Sequence, residues 1–131
     1  LSSGSYTLEK CRWQKGGFAD VLKSFSSNSY RGLCFDGKHL WGVYTSQIVE
    51  SDVIDCIHPE TGKVLESYSY GYAEAIKGIC FDGKQLIVHI SEETTQFAWI
   101  HTGTGKIMKF IGSLGSHNAV EFDGKHVWTR V

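Results

Sequence analysis

A tetrapeptide that occurs three times, Phe35-Asp36-Gly37-Lys38, Phe81-Asp82-Gly83-Lys84 and Phe122-Asp123-Gly124-Lys125, aligns two columns of side chains able to do chemistry. Five residues before each Phe stand Tyr30, Ile76 and His117, and four before stand Arg31, Lys77 and Asn118. An Arg fork and a Lys point charge at equivalent places suit a carboxylate or a phosphate. With Glu74 close to Lys77, the candidate ligand-binding set is Tyr30, Arg31, Glu74, Lys77, His117, Asn118 and Glu121. Glu121 falls in the column that otherwise holds Cys34 and Cys80, and it follows His117 by four residues. That pair could serve as acid and base or help hold a metal. The plainer alternative is a set of solvated loop ends, with Arg31 or Lys77 paired to Glu74 or Glu121.

The elements that must position these residues are short strands. Each repeated tetrapeptide follows a small or apolar run and precedes a β-prone one, as a tight hairpin turn does, with Asp-Gly supplying positive φ angles. The copies lie 46 and 41 residues apart, a spacing that suits one four-stranded sheet per repeat. Strands are expected over 31–35, 38–44, 52–58 and 63–69, and again over 77–81, 84–90, 96–101 and 106–111. Before them lie two strands and a turn within 6–25; after them, 118–122 and 125–131 supply a first and a second strand only. The chain therefore opens on the last half of a repeat and closes on the first half of another.

Gly32-Leu33-Cys34-Phe35-Asp36-Gly37-Lys38-His39-Leu40-Trp41, followed by Pro59-Glu60-Thr61-Gly62-Lys63-Val64, resembles the blade repeat of β-propellers of the NHL, YVTN and virginiamycin-lyase-like group. The resemblance implies an all-β propeller domain over 1–131, with a half blade at 6–25, full blades at 31–69 and 77–111, and a half blade at 118–131. Propellers commonly have four to eight blades, so three would leave open edges and apolar faces. Two chains sharing blades through their terminal halves would close a six-bladed ring, a homodimer; a fragment of a longer propeller is the alternative. The resemblance places the candidate residues at one mouth of the central channel. It transfers no activity, because the catalytic sets of the lyase and lactonase members do not map onto this chain.

Thirteen basic against fourteen acidic side chains give a net charge of -1, which argues against nucleic acid or an anionic membrane as partner. No apolar run reaches the roughly 20 residues of a membrane span. Cys34 and Cys80 precede two of the tetrapeptides, and Cys11 and Cys56 are expected to share another repeat column. As small buried residues rather than disulfides they favour a reducing, cytoplasmic setting. Glu50, Asp52, Glu92 and Glu93 give the loops between second and third strands an acidic, solvated character. No motif calls for a cofactor or a dedicated metal. The expected function is non-enzymatic: a soluble binding module taking a small anionic ligand or a protein partner at the channel mouth. The alternative is a metal-assisted hydrolase or lyase with its site at the channel.

Overall fold

The computed structural model describes residues 6–13, 16, 19–71, 74–91, 95–112 and 120–130. Within them the chain is all-β, twelve strands in four antiparallel sheets. The first sheet pairs β1 (Tyr6–Trp13) with β2 (Ala19–Ser27). The second is ordered β3 (Gly32–Phe35), β4 (Leu40–Ser46), β5 (Ser51–Ile57), β6 (Val64–Ser69). The third repeats that order with β7 (Ile76–Phe81), β8 (Leu86–Ser91), β9 (Thr95–Ile100) and β10 (Ile107–Gly112). The fourth pairs β11 (Val120–Phe122) with β12 (Val127–Thr129). The masses of apolar surface lie between sheets, and the first strands stack on one another, β3 along β7 and β7 along β11.

The repeated tetrapeptide makes the same turn each time, by a division of labour that differs from the expected one. Positive φ falls on the glycine alone, at 93° in Gly37 and 99° in Gly83 and Gly124. The aspartate acts instead through its side chain. Asp36 Oδ1 accepts from the backbone N–H of Lys38 and His39 (2.8 and 2.6 Å), and Asp82 and Asp123 repeat both bonds. A short carboxylate thus satisfies donors that the tight turn would leave open. Its second oxygen takes the indole N–H of Trp41 at 2.8 Å, and Asp123 takes that of Trp128 at 2.6 Å. These bonds lower the pKa of Asp36 in spite of burial, which alone would raise it.

Adjacent sheets are locked by an aromatic ring resting on a glycine of the next sheet's last turn. Phe25 lies on Gly62 and Tyr68 on Gly105, so closely that a Cβ at either glycine would stand 2.4 Å from the ring. Both glycines have φ of 73°, which L side chains disfavour. The Tyr68 and Tyr70 hydroxyls then donate to the carbonyls of Thr102 and Gly105, each at 2.8 Å. Between the second and third sheets, Trp41 is 2% exposed, stacked 6.1 Å from Tyr68, and packed with Ile54, Cys56, Ile79 and Leu86. A smaller core of Cys80, Ile87 and Phe97, with Trp99 and Phe122 against it, joins the third sheet to the fourth.

The pairing register corrects one expected column. Cys56 stands opposite Glu66, and after a one-residue irregularity Ile57 stands opposite Val64; in the first sheet Lys10 stands opposite Lys23, and Cys11 opposite Val21. Lys10 therefore occupies the place of Cys56, and Cys11 that of Ile57. Cys11 is exposed rather than buried, whereas Cys56 and Cys80 are buried and Cys34 packs against the core. All four are free thiols.

Candidate functional site

Four of the five described candidate residues, Tyr30, Arg31, Glu74 and Lys77, gather where β3 and β7 begin, around two aspartates of β5. Alternation along a strand sends neighbouring side chains to opposite faces. Asp52 and Asp55, three apart, accordingly face different sheets, and both are buried at 0% and 1% exposure.

Asp52 receives five hydrogen bonds. Oδ1 accepts from Arg31 Nη2 (2.7 Å), Thr45 Oγ1 (2.7 Å) and the Glu74 N–H (2.9 Å), while Oδ2 accepts from the N–H groups of Ala75 and Ile76, both at 2.8 Å. Arg31 completes the clamp, donating Nε to the Ile76 carbonyl and Nη1 to Thr45 Oγ1, each at 2.7 Å. Burial pushes the pKa of Asp52 up, but the Ile76 amide, Thr45, Arg31 and the Ala75 amide outweigh it and hold the carboxyl below the usual aspartate range. The result is a neutralised ion pair that ties the second sheet to the lead-in of the third. Asp52 is thus no solvated loop acid, and the carboxylate facing Arg31 is Asp52, not Glu74 or Glu121.

Asp55 organises the other side. Its Oδ2 accepts from Tyr30 Oη (2.6 Å) and Asn28 Nδ2 (3.1 Å), and its Oδ1 from Ser67 Oγ (2.5 Å). Burial, and then the bond to Asp55, push the Tyr30 phenol well above its ordinary pKa. Gly42 lets this ring lie against β4, since a Cβ there would meet it at 2.6 Å. Tyr30 also borders a pocket of about 290 Å³ lined by Ser26, Ser27, Asn28 and Leu8.

Lys77 is the candidate cation that stays at the surface. The ladder to β8 skips it, pairing Ile76 with Ile90 and then Gly78 with His89. Such a bulge turns a side chain out of the strand's regular alternation. Lys77 is exposed, and its ammonium donates to the carbonyl of Glu74, a residue held at φ of 56°. The Glu74 N–H belongs to the Asp52 clamp, so the loop that carries Lys77 is anchored from below. Glu121 lies apart on β11, exposed and paired in register with Trp128. His117 and Asn118 lie outside the described residues, so the His117–Glu121 pairing has no geometry here. Among the described residues, no group of three or more His, Cys, Asp or Glu side chains could hold a metal ion.

What sequence reasoning missed is the pair of aspartates. The available signal was their setting: Asp52 and Asp55 punctuate Ser51-Asp52-Val53-Ile54-Asp55-Cys56-Ile57, an otherwise apolar strand, where the register-equivalent residues of β9 are Thr95 and Ala98. A scan against protein-family models finds no match for the chain, and a search of curated proteins finds no relative.

Proposed function

We propose that two copies of this chain close into a six-bladed β-propeller, and that the ring is a non-enzymatic module binding a small anionic ligand or a protein partner at one mouth of its channel. The observation that carries this reading is the arrangement of the sheets. Three first strands stack in succession, two complete four-stranded sheets lie in the middle, and two-stranded sheets stand at the ends with β1 and β12 paired on one side only. Joined to a second copy, the end sheets make two further four-stranded sheets, a six-sheet total within the usual propeller range.

In that ring the lead-ins to β3 and β7 face one mouth. Arg31 serves there as a structural clamp, and Lys77, thrown outward by its bulge above an anchored loop, supplies the positive charge that meets a ligand. The two-fold axis brings a second Lys77 to the same mouth. Four free thiols, two of them buried, suit a reducing cytoplasmic setting for the assembly. Calorimetric titration with inorganic phosphate and with a dicarboxylate, at low ionic strength, tests the ligand class. Binding that weakens about tenfold or more in Lys77→Gln supports the reading, since hydrogen bonds to charged groups contribute about 1.5–3 kcal/mol. Binding of neither probe, or binding indifferent to Lys77, argues against an anionic ligand and leaves a protein partner.

A further inference from the structure

Between the first and second sheets lies an apolar groove of about 320 Å³, walled by Leu8, Phe25, Leu33, Phe35 and Leu40, with Lys10 at its edge. In the corresponding space between the second and third sheets a buried tryptophan, Trp41, is packed into the core. Register equivalence makes the comparison residue by residue: Ile54, Tyr68, Ile79, Phe81 and Leu86 stand there in place of Leu8, Phe25, Leu33, Phe35 and Leu40. Among them sits Trp41, stacked on Tyr68. Without that filling, Leu33 and Phe35 are 46% and 54% exposed, against 6% for Ile79.

The residue equivalent to Trp41 in the last sheet is Trp128, with the same indole bond to its turn aspartate. It is 62% exposed, at the opposite end of the chain from the groove. We propose that Trp128 of a second copy fills this groove, its β12 adding antiparallel to β1 in a register that sets Val127 opposite Cys11 and Trp128 opposite Lys10. The inference rests on the two-chain reading and specifies how the chains lock. The register is the one β4 takes on β5, where Leu40 faces Ile57 and Trp41 faces Cys56. Trp128 then stacks on Phe25 as Trp41 stacks on Tyr68.

Charge supports the same pairing. Across the second sheet one row reads Cys34, Trp41, Cys56, Glu66. Across the shared sheet it would read Glu121, Trp128, Lys10, Lys23. Both cysteines are replaced at once, one by an acid and one by a base, and the two replacements sit on different halves of the chain. Only the intermolecular sheet puts them in one row, about 10 Å apart across two strand spacings. That is about one Debye length at 0.1 M salt, so the attraction counts mainly at low ionic strength. Within its own chain Lys10 pairs with Glu60 at 3.4 Å, and in the shared sheet Glu121 of the other copy, anomalous as a member of a small-residue column, would join that group of charges.

Directly opposed residues of an antiparallel pair have Cα atoms about 4.5–5.5 Å apart, within the reach of a disulfide. The test is therefore Val127→Cys, oxidised mildly at a protein concentration where the assembled mass has been confirmed by light scattering. A covalent dimer is expected, lost when Cys11→Ser is added, and absent from Thr129→Cys, whose expected opposite is Glu9. Trp128→Ala should raise the dimer dissociation constant about a hundredfold or more, as loss of a central buried tryptophan does. A dimer of the right mass that does not cross-link through Cys11, or that tolerates Trp128→Ala, overturns this register and leaves the two-chain reading standing. A monomer overturns both.

Discussion

Replacing Asp52 by Asn changes one atom in a site that has no use for a second donor. The carboxylate's Oδ1 faces three donors and its Oδ2 two, so whichever position the new amide NH2 takes confronts at least two N–H or O–H groups. Asp52 is 0% exposed, and Arg31 would be left beside a neutral partner. With the Arg31 side chain 29% exposed, the loss lies toward the lower end of the about 3–5 kcal/mol that breaking a fully buried pair costs. For a domain of this size that corresponds to a fall of roughly 10–20 °C in Tm. The assay is urea unfolding at pH 7, followed by tryptophan fluorescence at one fixed protein concentration, because association would otherwise shift the midpoint. A second readout follows from the lowered pKa of Asp52. A depressed folded-state pKa contributes stability that is complete above the unfolded value near 3.9 and is lost as the pH falls through the folded value. The wild-type protein should therefore lose stability on acidification below about pH 4, and Asp52→Asn should flatten part of that slope. A loss under about 1 kcal/mol, with the acid limb unchanged, would refute the five-bond clamp.

Other expectations follow from the same contacts. Tyr30→Phe removes one of three donors to buried Asp55 and should cost about 1–3 kcal/mol in the same unfolding assay. Gly105→Ala, which drives a Cβ to 2.4 Å from the Tyr68 ring at positive φ, should destabilise by more than about 1 kcal/mol, and a neutral result would contradict the ring-on-glycine lock. Burial, helped by nearby acidic groups, pushes the thiols of Cys34 and Cys80 up to about 12 and that of Cys56 to about 11. Iodoacetamide at pH 8 and low protein concentration should accordingly modify exposed Cys11 first; mass spectrometry showing Cys80 or Cys56 labelled as fast would contradict the packing.

Much of the fold was legible because it is repetitive. Three copies of one turn, each with a glycine that alone tolerates its φ, fix where hairpins fall, and the apolar runs beside them fix the strands. At the two ends β1–β2 and β11–β12 stand as separate two-stranded sheets, where hairpins were expected for the same reason. Less was legible at the site. Arg31 and Lys77 share a column, yet one is drawn inward to Asp52 and the other is turned outward by a bulge, a difference in pairing that residue type does not encode. Asp52 looked like a loop acid because three of its five donors come from residues 74–76, more than twenty positions later and leading into another sheet. Cys11 fell one column from its expected place because the slip after Lys10 matches the one after Cys56, which aligns Cys56 with Lys10, while nine residues separate Cys11 from its partner Val21 and only six separate Ile57 from Val64.

The solution mass of the unmodified chain tests the central claim most directly. Light scattering behind size exclusion, across a range of loading concentrations, should give twice the 14.6 kDa of one chain, falling toward 14.6 kDa only on strong dilution. A mass of 14.6 kDa at every concentration would contradict the proposed two-chain ring, and with it the account of why the terminal sheets have two strands each.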